Sequence, residues 1–236
     1  MEQRMRRVIV TGANRGLGLE FVRQLIARGD CVIAACRDPQ RAEALQALVH
    51  MQPDRLHVRT LDVADPESIA AFAENVALTF DGLDLLVNNA GKNVRGERFG
   101  EVAGDALDSC FQTNAVAPFL LAQAFAPLLH KGDAPVVANL SSRLGSIALT
   151  KDFYTPSYAI SKAALNMATV LLAQALKGDG VRVIALTPGW VKTDMGGDAA
   201  PVLPAASVSG MLAVIDATTM QGSGAFADYL GEPVPW

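Results

Sequence analysis

The longest apolar runs in the sequence are only strand-sized, among them Val8-Ile9-Val10 and Leu83 with Leu85-Leu86-Val87. A helix that crosses a bilayer needs about 20 apolar residues, so no membrane span and no membrane partner are expected. The Arg-rich opening, residues 1–7, also lacks the apolar stretch of a signal peptide. Cysteine is scarce: Cys31, Cys36 and Cys110 are an odd number without metal-ligand spacing. Cys31 and Cys36 fall on opposite faces of one predicted strand. The three are expected to be buried thiols in a reducing cytosol, which points to a cytoplasmic protein with no metal site. Charge of either sign is in short supply as well, since 20 basic and 24 acidic residues leave a net −4. No basic tract could follow a phosphate backbone, which excludes nucleic acid as an expected partner.

What the chain does have is apolar material, half of its 236 residues, enough for one substantial core and a single domain over 1–236. Short β-branched runs at 8–11, 31–36, 56–61, 83–88, 136–141 and 181–187 alternate with helical periodicity at 17–28, 40–51, 66–80, 105–130 and 157–177. Strand–helix–strand repetition with crossovers of this length implies a parallel sheet covered on both faces, the doubly wound α/β architecture. Ligands then bind outside the carboxyl ends of the strands, and chemistry should lie just beyond them. The irregular stretch 196–209 follows one such end and is read as a mobile substrate lid. A short helix near 209–219 and a last strand near 225–229 should follow it.

The first strand runs into Thr11-Gly12-Ala13-Asn14-Arg15-Gly16-Leu17-Gly18, a glycine-rich turn that opens a helix. Gly12 permits a tight turn, Gly16 a close approach of backbone to a pyrophosphate, and Gly18 close packing of helix on strand. The second strand ends in Cys36-Arg37-Asp38, where an NAD site would offer an acidic residue to the ribose 2′-hydroxyl. Arg37 suits a 2′-phosphate, Arg15 could flank the same group, and NADP(H) is therefore favoured, with NAD(H) left open by Asp38. After the third strand, the Asp62 carboxylate in Asp62-Val63 could accept the adenine amino group, or cap the helix that Pro66 begins.

Tyr158 and Lys162 stand one helical turn apart on one face. A phenol titrates near ~10, and a fixed ammonium beside it is expected to lower that value toward useful acidity. The preceding strand ends in Asn139-Leu140-Ser141-Ser142, which brings a second donor, Ser142, to the same edge. Tyr154 is the rival phenol, but the residue four on from it is Tyr158, not a lysine. Pro118, lacking an N–H, frees the carbonyl of Asn114, which could hold a water between itself and the Lys162 ammonium; the alternative is a plain proline kink.

Taken in order, Thr11-Gly12-x-x-x-Gly16-x-Gly18, Asn88-Asn89-Ala90-Gly91, Asn114, Ser142 and Tyr158-x-x-x-Lys162 make the chain resemble the short-chain dehydrogenase/reductase family over almost its whole length. The resemblance implies a seven-stranded Rossmann sheet and a catalytic set of Asn114, Ser142, Tyr158 and Lys162. It also implies that Asn88 to Gly91, hence Asn89, Ala90 and Gly91, line the adenine–ribose channel, and that Lys162 holds the nicotinamide ribose. Pro188-Gly189, with Val191 and Thr193, would border the nicotinamide. Within the family, the glycine turn, the run from Pro188 to Gly197 and the closing Gly224-Ala225-Phe226-Ala227-Asp228-Tyr229 are similar to sniffer-type carbonyl reductases and C-factor-like proteins. Carbonyl reduction is the activity implied, with a cofactor-binding signalling role as the alternative, and a homodimer or homotetramer as the implied assembly. The segment between Ser142 and Tyr158, with Lys151, Asp152 and Phe153, is slightly long for the family. Only 74 residues follow Lys162 (236 − 162), too few for the added substrate domain of sugar-nucleotide epimerases.

Overall fold

In the computed structural model, which describes residues 5–236, seven strands form one sheet in the order β3-β2-β1-β4-β5-β6-β7, every neighbouring pair parallel. The strands are β1 (Arg7–Thr11), β2 (Cys31–Cys36), β3 (Leu56–Thr60), β4 (Leu85–Asn88), β5 (Val136–Leu140), β6 (Arg182–Thr187) and β7 (Phe226–Asp228). The helices between them are α1 (Gly16–Ala27), α2 (Glu43–Met51), α3 (Pro66–Ala77), α4 (Gly104–Phe111), α5 (Ala117–Leu129), α6 (Pro156–Ala175) and α7 (Pro204–Ala217). This is the doubly wound arrangement that the alternation of runs implied, and the seven-stranded Rossmann sheet that the family resemblance implied. Residues 1–4, part of the Arg-rich opening, lie outside the described residues. Among the described residues no helix is long and apolar enough to cross a membrane.

The strands are apolar on both faces because both faces are covered. Val8 and Val10 of β1 point into a cluster with Phe21, Val22 and Leu25 of α1 and Met211 and Ile215 of α7. Ile9, between them, points the other way, into a cluster with Phe72 of α3 and Phe125 of α5, whose rings meet edge to face at 5.7 Å. The same alternation puts Cys36 in the first cluster and Cys31 in the second, and both thiols, like that of Cys110, are buried and free.

Strand order reverses between β1 and β4, whose neighbouring registers (Val10 opposite Val87) bring the loops after both strands to one crevice. Several element boundaries differ from expectation, three of them for a local reason or by three residues or more. The helix expected over 105–130 is interrupted by a π-turn over Gln112–Val116, where the Ala117 N–H bonds the Gln112 carbonyl. Pro118, which cannot donate, sits just beyond, and the wider turn accommodates it. The last helix begins at Pro204 rather than 209, because proline is favoured in a first turn, where its missing N–H costs nothing. The irregular stretch before it is correspondingly shorter. It is also tied down: Val191 and Val202 form a bridge, Lys192 N donates to Val202 O at 2.8 Å, and Trp190 Nε1 donates to Gly196 O at 2.7 Å. The helix expected from residue 40 starts at Glu43 instead.

Candidate active site

Four segments distant in sequence meet at the carboxyl edge of the sheet: the glycine-rich turn after β1, the loop after β4, a short 3-10 turn (Arg143–Gly145) after β5, and the first turn of α6. The closeness of the first two depends on missing side chains. Gly12 has φ +63°, and a Cβ there would sit 2.9 Å from the Ala90 Cα. A Cβ on Gly18 would lie 2.3 Å from the Gly12 carbonyl oxygen, so α1 rests directly on the turn. Thr11 Oγ1 accepts from the N–H groups of Asn89 and Ala90, both at 3.0 Å, and Asn89 Nδ2 donates to Thr11 O at 2.7 Å and Gly12 O at 3.1 Å. Turn and loop are thus one hydrogen-bonded piece.

Arg15 precedes α1 in an extended conformation and gives it no side-chain cap, so the leading N–H groups and positive end of the helix can serve an anion. Asn14 and Gly16 are exposed on the turn, while Leu17 packs against the core. Arg37 and Asp38 line an open cavity of about 400 Å³ with Arg59 and Thr60 from β3. Arg15 does not reach this cavity. Its guanidinium pairs with Asp194 at 3.1 Å across the cleft, both groups largely exposed. Arg59 adds a cation that the sequence reading missed, because nothing in its own strand marks it. The Asp62 carboxylate accepts from Ala64 N at 3.0 Å, and the cap of α3 is instead Asp65, which accepts from Glu67 N at 2.9 Å. Val63 packs beside the core.

Tyr158 lies in the first turn of α6, and the Lys162 Nζ is 5.6 Å from the centre of its ring. The 3-10 turn after Ser142 presses on this helix: a Cβ on Gly145 would be 2.7 Å from the Lys162 Cβ. Ser142 Oγ accepts from Leu144 N at 3.2 Å, and its own proton serves the hydrogen bond with Tyr158. Lys162, 4% exposed, donates to Leu140 O at 2.6 Å. The expected lowering of the phenol by the ammonium does not prevail here. Burial pushes Tyr158 up to about 12, against a pull downward from a hydrogen bond with Ser142. Burial also brings Lys162 down to about 8. Tyr154, the rival phenol, is exposed.

Asn114 is buried in the π-turn, and its side chain serves as a clamp. Oδ1 accepts from Lys92 N at 2.8 Å, while Nδ2 donates to Lys92 O at 2.8 Å and Ser161 Oγ at 2.9 Å. Gly91 fills the space between: a Cβ there would be 3.5 Å from Asn114 Oδ1 and 4.0 Å from Lys162 Nζ. Asn88, by contrast, does not face the crevice. It is buried and donates to Asn139 Oδ1 at 2.8 Å, and Asn139 in turn donates to Thr169. Beyond β6, the Pro188 carbonyl accepts from Ser207 Oγ at 2.7 Å, Gly189 turns at φ +80°, and Val191 is buried. Thr193 closes the crevice, its Cγ2 3.6 Å from where a Cβ on Gly16 would be. Thr11, Glu97, Ser157 and Ser161 also belong to the site. A hydroxyl ending the apolar β1 could have flagged Thr11; the other three show only through contacts between distant segments.

The arrangement joins an uncapped helix start to a phenol, a hydroxyl and a buried ammonium. A family model described as short chain dehydrogenase matches residues 6–202. C-signal from Myxococcus xanthus is 41% identical over 166 residues, which cover 70% of this chain and 99% of that protein. The crystal structure of NADPH-bound carbonyl reductase from chicken fatty liver superimposes with a TM-score of 0.92 at 41% identity, covering 99% of this chain and 100% of that one. Carbonyl reductase Sniffer of D. melanogaster does so with a TM-score of 0.94 at 32% identity, again covering 99% and 100%.

Proposed function

The chain belongs to the short chain dehydrogenase family, and from that premise we propose that it is an NADP(H)-dependent oxidoreductase that reduces an aldehyde or ketone to an alcohol. The observation that carries this reading is the gathering of Tyr158, Ser142 and Lys162 at the edge of the sheet where the glycine-rich turn also ends. The residues present fit a dinucleotide. No side chain could be added at Gly12 or Gly18, α1 begins without a cap, and two guanidinium groups line the cavity at the end of β2. Gly12, Asn14, Arg15, Gly16, Leu17 and Gly18 would hold the pyrophosphate, Arg37 the 2′-phosphate, Asp62 and Val63 the adenine, and Asn89, Ala90 and Gly91 the adenosine ribose. Lys162 would hold the second ribose, and Pro188, Gly189, Val191 and Thr193 the nicotinamide end. When bound, the cofactor supplies the hydride.

With substrate bound, Ser142 turns its hydroxyl proton to the substrate oxygen and fixes its position. Tyr158 keeps its proton at neutral pH and releases it to that oxygen as negative charge grows there. The Lys162 ammonium steadies the phenolate that remains. The Asn114 carbonyl leads the replacement proton in, through a water shared with Lys162. Exposed Met195 and Leu203 in the segment over the crevice favour an apolar substrate. Buried free thiols suit the cytoplasm. The signalling alternative would leave this set of donors without a use.

The test is a panel of aldehydes, ketones and quinones assayed with NADPH and then NADH. Turnover of at least one carbonyl, faster with NADPH, is expected, and Arg37→Asp should shift the preference toward NADH. No turnover with either cofactor would contradict the reading; an unchanged cofactor ratio in Arg37→Asp would contradict the role of Arg37.

A further inference from the structure

The start of α6 is built in an unusual way. Thr155, the residue before it, has φ 42° and ψ 58°, a left-handed conformation rare for a β-branched residue. Its side chain makes no cap, and among the described residues its buried Oγ1 has no hydrogen-bond partner. Pro156 has no N–H to offer. The first donor of the helix is therefore Ser157, and its partner comes from far away in sequence. Glu97, in the loop after β4, accepts from Ser157 N at 3.2 Å through Oε2 and from the Ser157 hydroxyl through Oε1. A carboxylate at this end suits the positive helix terminus.

The next turn is tied to the same loop. Ser161 Oγ donates to the Tyr158 carbonyl at 2.7 Å and accepts from Asn114 Nδ2, which also donates to Lys92 O. Residues 157–161 are thus held at both ends by the segment that carries Gly91, Lys92 and Glu97, and Tyr158 lies between the two attachments. We infer that Glu97 is a positioning residue: its carboxylate sets the place of the turn that presents the Tyr158 phenol and couples that place to the loop after β4. The inference rests on the proposed reduction for its kinetic consequence, but not for its structural one.

Misplacement of a reacting group by about 1 Å can cost about 10²-fold in rate. Glu97→Ala is expected to lower kcat about tenfold or more, with KM and the Kd for NADPH within about twofold of wild type. Glu97→Gln, which keeps the shape and can still bond Ser157, should recover most of that loss. Ser157→Ala keeps its backbone N–H and should lose less than Glu97→Ala, and the double variant should be no worse than Glu97→Ala alone, as for residues acting through one contact. In parallel, hydrogen exchange of the 157–161 amides should quicken in Glu97→Ala while that of β1 and β5 stays unchanged. The inference is overturned by a Glu97→Ala enzyme with kcat within twofold of wild type. It is equally overturned by a loss that follows Tm and NADPH affinity together, or by local exchange that does not change. Wild-type protein that turns over no carbonyl would count against the proposed function instead, and the exchange measurement would still decide the role of Glu97.

Discussion

Burial acts on Lys162 and Tyr158 in opposite senses, bringing the amine down to about 8 and the phenol up to about 12. Between about 8 and the ordinary lysine value, the folded chain has lost a proton that the unfolded chain keeps, so Lys162 favours folding more as pH rises through that window. For reduction the consequence is the reverse, because the ammonium that steadies the phenolate is lost there. kcat/KM for carbonyl reduction should fall as pH rises through about 8, and Lys162→Met should remove this step along with most of the rate; a flat wild-type profile from about pH 7 to 9 would contradict it. The types of these residues were legible in the sequence, since a tyrosine and a lysine one turn apart and a serine ending a strand need only local spacing. Where the side chains point was not. Asn114 was singled out for its carbonyl, yet its side chain clamps Lys92, and Arg15 turns to Asp194 rather than to the cavity beside Arg37. Glu97 had no local signal, because its partner lies 60 residues away.

At the opposite end of the sheet, β1 is fastened to β4 by a single buried carboxylate just before β4. Asp84, 2% exposed, accepts from Arg7 N, Nε and Nη2 at 2.8, 3.0 and 2.8 Å, and from Asp133 N at 2.6 Å. Burial alone would raise its pKa, but the Arg7 and Asp133 hydrogen bonds outweigh it and hold the group below its ordinary value. A depressed carboxylate contributes stability that is complete above the unfolded value of about 3.9 and is lost as pH falls through the folded one. Asp84→Asn should therefore cost about 3–5 kcal/mol at neutral pH, lowering Tm by roughly 10 °C, and should flatten the acid limb of the stability curve; thermal melts from about pH 2 to 7 check both. Elements such as β1 and α1 were legible because period-2 and 3.6-residue patterns survive when both sheet faces are buried. Boundaries set by one residue were less so. Pro204 starts α7 five residues before the expected helix, and Pro118 turns part of one long helix into a π-turn.

Over the whole molecule, the site is a product of sheet topology, since the reversal between β1 and β4 gathers segments that the sequence keeps apart. The outer face of α6 carries exposed Ile160, Met167 and Leu171, and α4 exposes Phe111. This apolar face supports self-association into a homodimer or homotetramer, and the proposed single domain over 1–236 should then unfold in one transition with its partners. Sedimentation of the wild type should give a dimer or tetramer, and Met167→Glu with Leu171→Glu should give a monomer; a monomeric wild type would remove the proposal. The proposed convergence of phenol, hydroxyl and ammonium on a nicotinamide is tested most directly by Tyr158→Phe, measured for NADPH affinity and for reduction of a carbonyl that the wild type accepts. The expected result is unchanged NADPH affinity with reduction slowed by about 10²–10⁴-fold. Wild-type turnover in that variant would contradict the account.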